Sequence, residues 1–181
     1  MKDELKKQLI LDLQNKSVKI SEVDFKKCGY NLEVSLTSQQ VRDFVTTLYN
    51  KKFYLVFVTA VHVTPLIEVV YQFAYFEGSF RINIRVPVTL EGTIPTISDI
   101  FQGADWHERE TRDFLGVVFS GHPNLKTLIL AEEDVDLKPL LKNEKVLKAS
   151  EKVFNRDQIK EEKKTGEKKA KADKVKAESV S

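Results

Sequence analysis

Residues 53–88 read FYLVFVTAVHVTPLIEVVYQFAYFEGSFRINIRVPV, and the way this run divides decides the fold. Phe53 to Val63 is rich in aromatic and β-branched side chains and too short, with these flanks, for a buried helix, so it predicts a central strand. Pro65 ends it, because proline carries no backbone donor for a sheet ladder. In Ile67 to Glu77, Val69, Tyr71, Phe73 and Tyr75 alternate against Glu68, Val70, Gln72 and Ala74, which predicts a second strand. Glu77-Gly78-Ser79 supplies the turn into a third, Phe80 to Val88, with Arg81, Asn83 and Arg85 on one face and Ile82, Ile84 and Val86 on the other. Together these strands make an antiparallel meander with one apolar face.

That face needs a cover, and the residues upstream supply one. After Ser38, a good N-cap residue, Val41, Phe44, Val45 and Leu48 recur at helical spacing up to about Asn50. The predicted fold class is α+β, a small mainly antiparallel sheet with helices on one face, followed by a charged helix and an extended C-terminal arm. Val18 to Val23 and Leu32 to Leu36 alternate on either side of Gly29 and are expected to pair as a hairpin with a long connection. Leu5, Leu9 and Leu13 mark a short amphipathic helix over residues 2–16.

Downstream, Pro87, Gly92 and Pro95 lead out of the sheet, and Ile97 to Phe101 predicts a single helical turn before Gly103. The next helix is expected to start at Asp105 as N-cap, with Glu108 closing a capping box, and to end at a left-handed Gly116. At about 100° per residue, Trp106, Glu110, Asp113 and Val117 share one side, bordered by Arg109 and Phe114. Acids and a guanidinium thus interrupt the stripe that should bury, where an ordinary amphipathic helix segregates these types. Such acids persist when they meet arginine in fixed geometry, within the chain or across an interface; a solvated charged helix is the alternative that spacing alone allows.

Gly121-His122-Pro123-Asn124 is a turn by composition. Leu125 to Ala131, containing Leu128, Ile129 and Leu130, is apolar without periodicity and leads into Glu132, Glu133, Asp134 and Asp136, then Leu137 to Leu141. Segments of this kind order against another polypeptide. The expected division is 1–103 as the globular unit, 104–149 as helix and docking arm, and 150–181 as a charged tail that cannot offset its own ordering entropy.

Composition excludes several classes. The chain has 181 residues and a net charge of +2, too balanced for a dedicated nucleic-acid binder, although residues 150–181 carry +3 and the remainder −1. One cysteine, Cys28, allows neither an intrachain disulfide nor a four-thiolate iron–sulfur cluster. No GxGxxG or GxxxxGK pattern is present, so nucleotide, nicotinamide or flavin binding has no support. His62, His107 and His122 are far apart and form no HExxH or His–Cys spacing, which leaves no metal site to expect. His62, among apolar strand neighbours, is expected to be a hydrogen-bonded core or interface residue, and His122 to hold its turn. The first residues carry acids without a signal-peptide pattern, and the longest apolar run is far short of the roughly 20 residues a membrane helix needs.

Glu108-Arg109-Glu110, Asp113-Phe114-Leu115-Gly116, Phe119, Gly121-His122-Pro123-Asn124-Leu125 and Leu128-Ile129-Leu130 resemble the signature of the thirty-kilodalton, or C, subunit family of respiratory NADH dehydrogenase, complex I. Members also occur in membrane-bound hydrogenases and ferredoxin-linked ion pumps. Thr59-Ala60-Val61, Ile67 to Tyr71, Arg81 to Val88 and Ile94 to Ala104 resemble, in order, the family's preceding strands and linker, so the likeness covers roughly residues 38–140. The resemblance implies a non-catalytic assembly subunit whose arm wraps the hydrogenase-like large subunit, beside a small iron–sulfur subunit. It implies subunit-interface roles for Trp106, Glu108, Arg109, Glu110, Asp113, Phe114, Gly116, His122, Pro123, Leu128 and Leu130. Iron–sulfur clusters, and a nickel–iron centre in a hydrogenase-type complex, are expected in partner subunits, and membrane attachment only through them, on the cytoplasmic side.

His62 stands where respiratory members usually carry an acid, and residues 136–143 keep only Pro139, Leu140 and Lys142 of the family's His-Pro-Leu-Arg-Lys-Asp run. These departures make a hydrogenase-type or ferredoxin-linked complex as good a fit as a quinone-linked one. Two other classes stay in view: an enzyme using Glu108, Glu110 and Asp113 as acids or bases, and a basic-tailed adaptor for nucleic acid or anionic membranes.

Overall fold

A computed structural model describes residues 19–142. The helix expected over residues 2–16 and the tail from 150 lie outside the described residues, as does the arm beyond Lys142. The elements run β1 (Lys19–Glu22), α1 (Phe25–Cys28), β2 (Leu32–Ser35), α2 (Val41–Asn50), β3 (Phe53–Val63), β4 (Leu66–Tyr75), β5 (Arg81–Val88), β6 (Thr93–Pro95), α3 (Ala104–Leu115) and β7 (Val118–Ser120). One sheet has the order β1-β2-β5-β4-β3, and β6 and β7 form a separate parallel pair.

The meander forms as its alternation requires, with β3, β4 and β5 antiparallel in sequence, and β1 pairs antiparallel with β2. The connection between β1 and β2 holds α1, capped by the Asp24 carboxylate on the Lys26 N–H and closed by left-handed Gly29. One pairing is not legible in the alternation: β2 joins β5 in parallel, Leu32 opposite Ile82 and Val34 opposite Ile84. The β2–α2–β3 connection is therefore a crossover that skips two strands, which β5 and β4 then fill. The crossover helix buries Val41, Phe44, Val45 and Leu48, the expected stripe. Its start differs from expectation. Gln40 Oε1 accepts from the Thr37 N–H at 2.9 Å, and Ser38 lies inside a 3-10 turn, so the N-cap work falls one residue earlier than Ser38.

The placing of β3 is a correction. It is an edge strand, paired only with β4, and Tyr54 and Val56 face outward. Its outward residues are themselves apolar, so a half-exposed strand reads as a continuous buried run. A register shift between Leu55 and Phe57 leaves Val56 without a partner on β4, a bulge that bends the edge. The doubly covered strand is β4, buried from Ile67 to Ala74 apart from Gln72. One core takes in sheet residues such as Tyr71, Phe73 and Ile84 together with Ile94, Ile97, Ala104, Leu115 and Phe119, so packing is continuous across residues 103 and 104.

Tyr71 is fully buried, and its hydroxyl has no hydrogen-bond partner among the described residues. An unsatisfied buried hydroxyl costs about 1–3 kcal/mol. Tyr71→Phe is accordingly expected to leave stability unchanged or to raise it by about 1 kcal/mol in urea unfolding. A clear loss would show that the hydroxyl is paired.

Candidate subunit-docking site

The chain leaves β6 through Thr96-Ile97-Ser98-Asp99, makes one hydrogen-bonded turn at Ile97–Phe101, and enters α3 at Ala104. Arg42 on α2 pins this linker, donating to Thr96 O at 2.6 Å and gripping both Asp99 oxygens at 2.8 and 2.6 Å. The linker in turn binds the helix. Glu108 is fully buried, its Oε1 accepting from the Ile97 N–H at 2.9 Å and its Oε2 from the Thr96 hydroxyl.

This overturns the expected capping box. The N-cap of α3 is Gly103 rather than Asp105, without a side-chain cap, and Glu108 reaches the linker rather than its own first turn. The physical reason lies in the buried face. Ala104, Glu108, Thr111 and Leu115 are buried at a helical spacing, so the stripe facing the core is opposite Trp106 and carries Glu108 in its middle. Burial pushes the Glu108 carboxyl up to about 7, against the lowering effect of the Ile97 and Thr96 hydrogen bonds and with a further rise from Asp105 and Asp99.

The side of α3 carrying Trp106, Glu110 and Asp113 is split in two. Its C-terminal half is roofed by residues 126–130. Arg109 donates to Lys126 O at 3.1 Å and Thr127 O at 2.8 Å, while Asp113 Oδ2 accepts the N–H groups of Leu128, Ile129 and Leu130 at 2.8, 2.9 and 3.3 Å. Arg109 and Asp113, one turn apart, thus hold carbonyls and amides of the same loop. Burial raises the Asp113 carboxyl, but the three amides and Arg112 outweigh it and leave it below the usual carboxylate range. Leu125 to Ala131, expected to find no partner in its own chain, is tied to α3 because backbone amides without ladder partners need an acceptor.

The N-terminal half stays open. Trp106 is 68% exposed and Ile129 57%. With Gln102, Gly103, His107, Glu110 and Leu128 they line a groove of about 870 Å³ between helix and loop. Among the described residues, Glu110 forms no ion pair.

The remaining predicted residues support this frame. His122 Nδ1 accepts from the Asn124 N–H at 3.1 Å, holding the turn as expected and leaving Nε2 to face Asp105 at 3.4 Å and Glu108 at 3.9 Å. Gly116 is left-handed at φ 77° and closes α3 onto Arg112 O. Phe114 is half-buried against the core and its carbonyl accepts from the Leu140 N–H at 3.0 Å. Leu130 is half-buried and Pro123 exposed. His62 is buried, as expected, and its Nδ1 accepts from the Lys142 N–H at 3.0 Å; burial, then the Lys142 charge, lower its pKa. Sequence reasoning missed Thr96, Ser98 and the Arg42–Asp99 clamp. The signal available was a Thr-x-Ser-Asp run ahead of an apolar turn, a pattern that bonds its own backbone. Among the described residues no group of three His, Cys, Asp or Glu side chains is placed to hold a metal, and no helix is long and apolar enough to cross a membrane.

The family profile described as the 30 Kd subunit of respiratory-chain NADH dehydrogenase matches residues 34–150. The chain belongs to that family. Within the 30 Kd family it is similar to the C subunit of NADH-quinone oxidoreductase from Roseiflexus castenholzii, 40% identical over 99 residues that make up 52% of this chain and 55% of the relative. A 62-residue match to the Mesorhizobium japonicum protein of the same name is 45% identical and covers 34% of this chain and 31% of the relative. The chain therefore spans about a third to half the length of these curated relatives. Among solved structures, a chain of the membrane-bound sulfane sulfur reductase, an archaeal respiratory membrane complex, superposes with a TM-score of 0.64 and 25% identity over 76% of this chain and 81% of that one.

Two substitutions separate the roles of the buried acids. Asp113→Ala is expected to cost about 2–3 kcal/mol and to abolish hydrogen-exchange protection of the Leu128, Ile129 and Leu130 amides while β4 and β5 keep theirs. For Glu108 the folded carboxyl holds its proton above its ordinary 4.5, so between pH 4.5 and about 7 the native state binds more protons than the unfolded one. Stability must fall as pH rises through that window, by roughly 3 kcal/mol. Glu108→Gln should flatten the slope in chemical unfolding followed across this range; an unchanged slope would place the titrating group elsewhere.

Proposed function

We propose that the chain is a non-catalytic structural subunit of a complex I-related, redox-driven, ion-translocating membrane complex, docking through the open half of α3 against the hydrogenase-like large subunit. Family membership supports the class of complex. The observation that carries the docking role is an exposed Trp106 beside Glu110 and Ile129, in a groove whose wall the chain fixes with two hydrogen bonds donated by Arg109 and three accepted by Asp113. A large aromatic side chain left in water on a rigid frame is the composition of an interface anchor.

The acids of the signature divide in this reading. Glu108 and Asp113 build the surface from inside, and Glu110 belongs to the surface itself. An enzymatic use of the three acids has no geometry behind it, since Glu108 and Asp113 are occupied by backbone amides on separate loops. The iron–sulfur clusters, and a nickel–iron centre in a hydrogenase-type complex, then belong to partner chains, and the subunit sits peripherally on the cytoplasmic side of the membrane. Leu137, Leu140 and Leu141 of the arm are exposed as well, near the C-terminal end of α3 where the Leu140 N–H meets the Phe114 carbonyl.

The test is assembly. Trp106→Ala and Glu110→Lys, introduced into the intact complex, are expected to strip this subunit during purification, with the isolated chain melting within a few degrees of the unsubstituted protein. A complex recovered with normal composition from both variants refutes the docking role.

A further inference from the structure

The groove carries a more specific message about its occupant, one that rests on the docking role. We infer that it receives an arginine-bearing apolar segment of the partner, the guanidinium lying over Trp106 and pairing with the Glu110 carboxylate.

Charge complementarity carries the choice. The groove lining is apolar or neutral at Gln102, Gly103, Trp106, Leu128 and Ile129, and its one carboxylate, Glu110, forms no ion pair among the described residues, with His107, the other titratable side chain of the lining, included. The nearby guanidinium, Arg109, is committed to the Lys126 and Thr127 carbonyls and cannot turn to neutralise it. The chain leaving Ile129 makes an exposed 3-10 turn of three consecutive acids, Glu132–Asp134, which adds negative charge to the same loop. Trp106 and Glu110 stand four residues apart on one helix face, so an indole face and a carboxylate are neighbours. A planar guanidinium satisfies both at once, stacking on the ring and donating in parallel to the carboxylate; a lysine ammonium pairs with one or the other. Leu128 and Ile129 then take the apolar residues that flank the cation.

The experiment uses the full chain, in which Trp106 is the sole tryptophan and so reports the groove directly by fluorescence. The probes are acetylated, amidated pentapeptides of sequence Ala-Leu-Arg-Leu-Ala and its lysine, citrulline and glutamate analogues, with calorimetry as a second measurement. The arginine peptide is expected to shift Trp106 emission and to bind about tenfold more tightly than the uncharged citrulline isostere. The lysine peptide should fall between them and the glutamate peptide should be weakest. Glu110→Gln should bring arginine down to the citrulline level while leaving citrulline binding unchanged, a coupling that general loss of structure cannot imitate. Trp106→Phe, read by calorimetry, should weaken arginine binding less than Glu110→Gln does. Equal binding of arginine and citrulline, tighter binding of the glutamate peptide, or no binding of any peptide overturns the assignment. The two readings fail separately: peptides that do not discriminate, beside a Trp106→Ala subunit still lost from the complex, remove the arginine and keep the docking.

Discussion

Two carboxylates that accept backbone amides hold α3 to the segments before and after it. Glu108 takes the Ile97 N–H on the way into α3, and Asp113 takes three successive amides of the loop that follows it. Asp113, held below the usual carboxylate range, is a charged and therefore strong acceptor, and irregular loops have no ladder to occupy their amides. The helix is thereby fastened to the segments on both sides of it. Without Asp113 the amides of residues 128–130 lose their acceptor, and beyond Leu125, which packs on the core, the two Arg109 bonds to the carbonyls of Lys126 and Thr127 are left to hold the loop to the helix.

The sheet's part is to make α3 immobile. Helix α3 packs on β3 and, through Ala104 and Leu115, joins the core built on β4 and β5. The parallel β6–β7 pair closes the base, with Ile94 opposite Phe119 and the Thr96 N–H donating to Ser120 O at 3.0 Å. Local stiffness of this kind would favour the docking role proposed above, because ordering a loop at the moment of binding subtracts from affinity.

Much of this was legible in the residues, and the misses have identifiable causes. Alternation located the meander and the β1–β2 hairpin, although β4 buries both of its faces, and helical spacing located α2, which buries one face. The same rule misjudged β3, whose solvent side carries Tyr54 and Val56. It also misjudged the core stripe of α3, where a glutamate and a threonine occupy positions usually held by leucine. A buried Glu108 is acceptable there only because Thr96 and Ile97, twelve and eleven residues earlier, meet it, and no local pattern records that meeting. The family signature identified the important acids without revealing that Glu108 and Asp113 serve their own chain.

Gly116 shows what specifies this end of the helix. Its φ of 77° alone would admit an asparagine or aspartate, the residues that tolerate left-handed backbone. A Cβ at this position, however, would come within 2.7–2.8 Å of the Lys138 aliphatic stem, which crosses directly above it. That contact is with the far end of a flexible lysine side chain, which can move aside, so the left-handed backbone rather than the contact limits the choice of residue. An asparagine placed there would push aside the end of the Lys138 side chain and leave the Leu140 N–H bonded to the Phe114 carbonyl.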